Sequence, residues 1–127
     1  LVDKFVEQVA IIADQRKFVS ALIVPEFGLL EKWAKDHNIS FADREELCAN
    51  ERVNEMMKDR IETLQQHLAQ YEQIKRFTLL AHHFSMESGE LTNTLKLKRS
   101  VVVKNYADTI NAMYEEPDLT TQLPSIE

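Results

Sequence analysis

Two apolar runs separated by three residues constrain the fold of this chain more than any other feature. Residues 6–14 and 18–24 are rich in β-branched side chains, and the intervening segment, residues 15–17, suits the turn of an antiparallel hairpin. The apolar centre at residues 9–13 is nearly continuous, which predicts a strand pair buried on both faces. Pro25 ends the second strand because proline cannot donate a hydrogen bond to a ladder.

Helical periodicity follows the hairpin. Four apolar residues recur at helical spacing in a first short helix, which Asn38 can close in the left-handed conformation: Leu29, Leu30, Trp33 and Ala34. Asp43 and Glu46 have the spacing of a capping box that opens a second short helix, and Asn50 can cap a third. The third is predicted to be the longest, with one apolar face over about five turns. That face comprises Val53, Met56, Met57, Ile61, Leu64 and Leu68.

The last third of the chain predicts one more strand and one more helix. Residues 77–80 form a compact β-forming run, most simply a third strand added to the hairpin. A final helix begins near Arg99 or Ser100, and one face of it carries Val102, Val103, Tyr106, Ile110 and Met113. The predicted fold class is therefore α+β, a small antiparallel three-stranded sheet packed with helices.

Composition excludes several functional classes. With 127 residues, 44% of them hydrophobic and 28% charged, the chain is predicted to form one globular domain. A net charge of −6 argues against nucleic-acid binding, and the two glycines, Gly28 and Gly89, cannot make a glycine-rich phosphate loop. A single cysteine cannot form an internal disulfide, so we expect a reducing, cytoplasmic location. Any membrane contact would be peripheral or would come from parts outside this sequence.

The segment 91–104 reverses the acidic character of the chain. It carries four basic residues and no acid: Lys96, Lys98, Arg99 and Lys104. Such a segment is usually a solvated helix start. Lys98 and Arg99, however, lie where a helix begins and oppose its macrodipole, which costs from a few tenths to about 1 kcal/mol and suggests an anionic partner.

The order of residues in this segment carries a family resemblance. Thr92-x-Thr94-x-Lys96-x-x-Arg99 resembles the late lysine motif of the AMP-forming acyl-CoA synthetase superfamily, usually Thr-x-Ser-Gly-Lys-Ile-x-Arg. The form with leucine before the lysine is similar to that of the long-chain fatty acid CoA ligase branch. Leu95 stands where most of the superfamily has glycine, and Asn93 stands where the long-chain branch often has proline. Residues 9–25 also resemble the C-terminal hairpin of the family, and the resemblance extends over about residues 5–114.

The resemblance implies a function and a set of site residues. It implies that residues 1–116 are the C-terminal lid domain of a long-chain fatty acid CoA ligase. Residues 117–127 have no core-forming period, so we expect them to be a disordered tail. Lys96 would be the catalytic lysine, with Thr94, Lys98 and Arg99 contacting substrate. The complete enzyme would use ATP, Mg²⁺ and CoA, and its N-terminal adenylation domain would be the partner of the lid. We interpret the sequence as a piece of that enzyme, inactive alone.

Other interpretations remain open for the chain as a whole. It could be a free-standing interaction module that docks a protein through the apolar helix at residues 53–68 or through the basic segment. It could equally be the lid of a superfamily ligase that activates another carboxylic acid.

Other chemistry-bearing residues have simpler explanations. His82 and His83, near Glu87 and Glu90, are poorly placed for a shared metal because adjacent side chains on an extended segment point apart. Cys48 is predicted to be a buried small hydrophobe and not a nucleophile. We assign Trp33, Met56 and Met57 to the core, and Asp14 and Arg16 to a turn.

Overall fold

A computed structural model describes residues 3–13 and 17–115 of the chain. The strands are β1 (Val6–Ile12), β2 (Val19–Pro25) and β3 (Ile74–Leu79). The helices are α1 (Phe27–Asp36), α2 (Arg44–Ala49), α3 (Glu51–Leu64), α4 (Arg99–Asn105) and α5 (Ala107–Glu115), and a 3₁₀ turn spans Gln70–Glu72. The predicted turn residues Asp14 and Arg16 and the predicted tail lie outside the described residues. Among the residues described, no helix is both long and apolar enough to cross a membrane.

The sheet has the order β1-β2-β3 and is mixed, not antiparallel throughout. β1 and β2 form the predicted antiparallel hairpin, with Val9 opposite Ile23. β3 pairs with the other edge of β2 in parallel, with Ala21 opposite Phe77, so its predicted antiparallel direction is wrong. The connection from β2 to β3 contains three helices, which is long enough to return the chain to the starting end of the sheet. The α+β class is confirmed.

Burial divides the two hairpin strands. β2 is buried at six successive residues from Ser20 to Pro25, whereas β1 is buried only at Ala10 and Ile12. The prediction of a strand pair buried on both faces therefore holds for β2 and is wrong for β1. β2 lies between two strands, but β1 has a hydrogen-bonded neighbour on one side only and is an edge strand.

The first helix ends and the second begins as the sequence predicts. The Glu26 carboxylate caps α1 by accepting from Leu29 N at 2.8 Å, and Asn38 closes the helix with φ 60°. The Asp43 carboxylate caps α2 by accepting from Glu46 N at 2.8 Å. Trp33 packs at the edge of the core, where its ring stacks on His37 with centroids 4.2 Å apart.

The third helix has the predicted start and core face but ends earlier. Asn50 Oδ1 accepts from the backbone N–H groups of Arg52 and Val53, and Val53, Met57 and Ile61 are buried. The helix stops at Leu64, so the predicted extension to Leu68 is wrong. Gln65 explains the end, because its buried side-chain amide bonds to both Ile74 N (2.9 Å) and Ile74 O (3.0 Å) and so joins the helix terminus to β3.

The predicted final helix is two short helices that meet at Tyr106. Val102, Ile110 and Met113 form its buried face, as predicted. Tyr114 anchors the second of the two helices to the hairpin, since its hydroxyl accepts from Ser20 Oγ at 2.9 Å and donates to Phe18 O at 2.6 Å.

A partly buried ion pair ties the first described residues to α3. Asp3 Oδ1 lies 2.8 Å from Arg60 Nη2 and Asp3 Oδ2 lies 2.9 Å from Arg60 Nε. The Asp3 side chain is 8% exposed, and the guanidinium also covers the Phe5 ring at 4.8 Å. The hydrogen bond from Arg60 holds the pKa of the Asp3 carboxyl below its ordinary value of 3.8.

We predict that Arg60→Ala lowers the free energy of unfolding by about 2 kcal/mol near neutral pH, because it leaves a nearly buried carboxylate without its charged donor. The pKa of Asp3 is lower in the folded state than in the unfolded state, so this contribution is present above pH 3.8 and is lost as the pH falls through the folded pKa. Urea unfolding at pH 7 and pH 3 measures it. Arg52→Ala, on the exposed surface of the same helix, is the control, and an equal loss in both variants would contradict the assignment.

Candidate active-site loop

Residues 91–97, here called the lysine loop, form a closed turn. Leu91 and Leu97 face each other across an isolated antiparallel bridge. Thr92 N–H donates to Lys96 O at 2.8 Å, and Leu95 N–H donates to Thr92 O at 2.8 Å. The main chain thus holds both ends of the loop together, which fixes where the Lys96 side chain leaves the backbone.

Thr92 organises the interior of the loop. Its hydroxyl oxygen accepts from Lys96 N at 3.0 Å and from Thr94 N at 3.3 Å, and it lies 3.0 Å from the hydroxyl oxygen of Thr94. The motif includes Thr92, but the sequence analysis assigned it no role. A threonine four residues before the lysine is the signal that would have found it, because Ser and Thr hydroxyls commonly bond nearby backbone N–H groups.

Leu95 occupies the left-handed region, with φ 63°. A side chain there costs roughly 1–2 kcal/mol because Cβ approaches the following carbonyl oxygen, and glycine avoids that contact. This geometry explains why glycine suits the corresponding position of the resembled motif. The Leu95 side chain is 65% exposed, so burial offsets little of the strain.

The Lys96 side chain is exposed and extends from the surface of the loop. Within residues 3–13 and 17–115, its ammonium group forms no hydrogen bond or ion pair. A four-carbon stem on a fixed backbone can deliver a compact positive charge to an anion on another domain. The placement of Lys96 is therefore compatible with the predicted catalytic role.

Lys98 and Arg99 lie at the start of α4. Lys98 is the N-cap residue without a side-chain cap bond, Arg99 is the first helical residue, and both are exposed. The first turn of α4 contains no acid. The structure thus places Thr94, Lys96, Lys98 and Arg99 along one short exposed segment. That these residues contact a substrate stays a prediction.

Glu90 is a buried acid whose importance the sequence analysis missed. It is 4% exposed, and it immediately precedes the lysine loop. Its Oε1 accepts from Ser88 Oγ at 2.7 Å and its Oε2 accepts from Asn105 Nδ2 at 3.1 Å. Its position as the last acid before the acid-free segment 91–104 is a signal that could have identified it.

Tyr106, where the two C-terminal helices meet, is affected by the charge of Glu90. Burial raises the pKa of its phenol, and the nearby negative charge of Glu90 raises it further. The Tyr106 ring meets Phe84 edge to face with centroids 6.0 Å apart.

In the described residues, the contacts of His82 and Cys48 do not involve the lysine loop. His82 Nε2 lies 3.0 Å from Glu45 Oε2 on the surface. In the described part of the chain, no group of three or more His, Cys, Asp or Glu residues is placed to hold a metal. Cys48 is buried, as predicted, and burial raises the pKa of its thiol to about 11, with a contribution from the charge of Glu45.

Comparison with known proteins identifies the family. Residues 1–118 match the model of the AMP-binding enzyme C-terminal domain, so the chain belongs to that family and the family resemblance of the sequence is confirmed. Among curated relatives, peroxisomal long chain acyl-CoA synthetase 6 of Arabidopsis thaliana is 33% identical over 116 residues, covering 89% of this chain and 16% of that protein. The long-chain-fatty-acid–CoA ligase FadD15 of Mycobacterium tuberculosis is 26% identical over 112 residues, covering 87% and 19%. The chain thus spans less than a fifth of the length of these relatives.

Solved structures share the fold. The adenylation domain of a carboxylate reductase from Mycobacterium chelonae superposes with a TM-score of 0.68 at 23% identity, over 88% of this chain and 16% of that one. The adenylation and carrier-protein didomain of a carboxylic acid reductase from Segniliparus rugosus gives a TM-score of 0.67, over 87% and 14%. These likenesses establish the fold of the C-terminal subdomain.

We predict that Leu95→Gly raises the free energy of unfolding by about 0.5–1 kcal/mol, because relief of the left-handed strain exceeds the added flexibility of the unfolded chain. Asn93→Gly, in the same loop but without a positive φ, is the matched control and should lower that free energy by about 0.5–1 kcal/mol. Urea unfolding monitored by circular dichroism measures both. Equal destabilisation by the two substitutions would show that Leu95 is not strained.

We also predict slow alkylation of Cys48. A rise of the pKa from 9.0 to about 11 lowers the thiolate fraction near pH 8 by about a hundredfold, and only the thiolate reacts. Iodoacetamide labelling followed by mass spectrometry, in buffer and in urea, measures the ratio of rates. Comparable rates in the folded and unfolded chain would restore the nucleophile interpretation.

Proposed function

We propose that this chain is the mobile C-terminal lid of an ATP-dependent, AMP-forming long-chain fatty acid CoA ligase, and that Lys96 is its catalytic lysine. The observation that carries the proposal is the exposed Lys96 ammonium, without an ion-pair partner in the described residues, on a hydrogen-bonded loop of the acyl-CoA synthetase type. The printed names of the relatives, long chain acyl-CoA synthetase and long-chain-fatty-acid–CoA ligase, support the fatty acid substrate.

The first half-reaction requires a cation. A carboxylate oxygen of the fatty acid attacks the α-phosphorus of ATP, a P–O bond forms, and pyrophosphate leaves with the electrons of the broken bond. Two anions must approach each other before this step. In the proposal, Lys96 lies between the carboxylate and the α-phosphate oxygens. A preorganised donor of this kind is worth roughly 3–4 kcal/mol, or about a hundred- to a thousandfold in rate.

The neighbouring residues suit an anionic ligand. Lys98 and Arg99 are exposed cations at the start of a helix whose first turn lacks acids, and Thr94 presents an exposed hydroxyl beside Lys96. We assign these three residues to contacts with the nucleotide or with the N-terminal adenylation domain. The proposal places the ligands of the Mg²⁺ that accompanies ATP in that N-terminal domain, and it places the enzyme in the cytoplasm.

The second half-reaction consumes the adenylate. The thiol sulfur of CoA attacks the acyl carbon, the thiol loses its proton, and AMP leaves as the thioester forms. In the family resembled, rotation of the lid separates the two steps. The lysine loop would then leave the reaction centre, so Lys96 would act in the first step and not in the second.

We expect Lys96→Ala in the full-length ligase to lower the rate of acyl-adenylate formation by about a hundred- to a thousandfold. Thioester formation from supplied acyl-adenylate should be retained. Pyrophosphate release measures the first step, and acyl-CoA chromatography measures the second. Lys104→Ala is the matched control, because Lys104 is an exposed lysine of the same basic segment and lies outside the lysine loop.

Two outcomes would contradict the proposal. Equal loss in both half-reactions would show that Lys96 supports folding or domain closure in general, and no loss in either would remove it from catalysis.

Comparing palmitate with acetate in the same assay tests the acid substrate, and a preference for acetate would reject the long-chain assignment. The 127-residue chain alone should release no pyrophosphate.

A further inference from the structure

The geometry points to Glu90 as the positioning residue that fixes the lysine loop to helix α4. The inference deepens the proposed function, because a position for Lys96 matters to catalysis only if Lys96 is the catalytic lysine. The structural part of the inference, that Glu90 holds the loop in place, rests on contacts within this chain.

The cost of burying the Glu90 carboxylate must be offset by other interactions. A carboxylate removed from water costs several kcal/mol unless donors surround it. Within the described residues Glu90 forms no ion pair, and neutral donors satisfy it, with the Ser88 hydroxyl on one oxygen and the Asn105 amide on the other. A buried acid held by two neutral donors links those donors firmly, because either one lost leaves the charge under-solvated.

Glu90 joins three segments of the chain. Its backbone N–H donates to Ser85 O at 3.0 Å, and its backbone oxygen accepts from Lys98 N at 2.7 Å. Its side chain reaches back to Ser88 in the preceding turn and forward to Asn105 at the end of α4. The residue therefore connects the turn before the lysine loop, the first residue after the loop, and the helix that follows.

This arrangement determines where the Lys96 ammonium can go. The loop begins at Leu91, directly after Glu90, and Lys98 N–H is bonded to the same residue. If the ends of the loop shift relative to α4, the ammonium group at the end of the long Lys96 side chain shifts with them. A misplacement of about 1 Å in a catalytic group can cost roughly a hundredfold in rate.

The first test uses substitutions that separate the side-chain contacts from the fold. Glu90→Ala removes both acceptors, and Asn105→Asp keeps the shape of an exposed residue while setting a negative charge against Glu90. Glu90→Gln is the conservative rescue, because its amide oxygen still accepts from Asn105. Glu87→Ala, an exposed acid in the same turn, is the matched control.

We expect Glu90→Ala and Asn105→Asp to lower kcat for acyl-adenylate formation in the full-length ligase by about ten- to a hundredfold, with little change in the KM for ATP. Glu90→Gln should stay within about threefold of the parent, and Glu87→Ala should be unchanged. In a Lys96→Ala background, Glu90→Ala should cause no further loss, because residues that act through one another are not additive. An additive loss there, or parent rates for both Glu90→Ala and Asn105→Asp, would overturn the inference.

Hydrogen exchange on the 127-residue chain separates this inference from the proposed function. In Glu90→Ala and Asn105→Asp, the amides of Lys96 and Lys98 should exchange at least about tenfold faster, while those of Leu22 and Ile23 in β2 keep parent rates. Unchanged loop exchange rejects the positioning role whatever Lys96 does. If Lys96→Ala leaves adenylation intact, the proposed function fails, and the exchange result still decides whether Glu90 holds the loop.

Discussion

The burial of β2 is the constraint on which the rest of this structure depends. Six successive residues of the strand are inaccessible to water, and both of its edges are paired, to β1 on one side and β3 on the other. Because β2 pairs along both edges, its backbone hydrogen-bonding groups find partners within the sheet, and its side chains are free to form the apolar core. The Tyr114 hydroxyl closes the arrangement by bonding to Ser20 and Phe18 at the start of the strand.

Hydrogen bonds at three places connect the sheet to the segment before the lysine loop and that segment to α4. Leu80 N–H donates to Ile23 O at 2.8 Å, which fixes the chain as it leaves β3. Gln8 of β1 then holds Phe84, because its side-chain oxygen accepts from Phe84 N at 2.8 Å and its amide nitrogen donates to Phe84 O at 3.3 Å. Glu90 continues this sequence of contacts to α4. An exposed loop on a rigid support is a common way to present a reactive side chain.

The proposed role is that of a domain that contributes one charge, on Lys96, to a reaction centred elsewhere. Lys96 is exposed on a loop that backbone hydrogen bonds close, and this placement supports the proposed role. The likeness to adenylation domains of carboxylic acid reductases shows that the same small fold occurs in proteins outside the acyl-CoA synthetases. Fold alone therefore does not name the acid that is activated, and the substrate must be tested on the complete protein.

Local sequence determined the parts of this protein that depend on nearby residues. The hairpin strands, the caps at Asp43 and Asn50, the left-handed Asn38 and the order of the lysine motif all follow from spacing within a few positions, because strand alternation, helix capping and turn chemistry are short-range effects. The family resemblance was likewise visible in two short segments, and the match over residues 1–118 confirms it.

Only the tertiary structure decided the rest. The parallel direction of β3, the end of α3 before Gln65 and the burial of Glu90 each depend on groups distant in sequence or on how the chain is packed. No local pattern specifies which edge of a strand a later segment will meet, or whether a buried acid will find a donor such as Asn105, fifteen residues further along the chain. The motif therefore predicted which lysine is catalytic, and the packing of the sheet and helices decided which residues contact the loop that carries it.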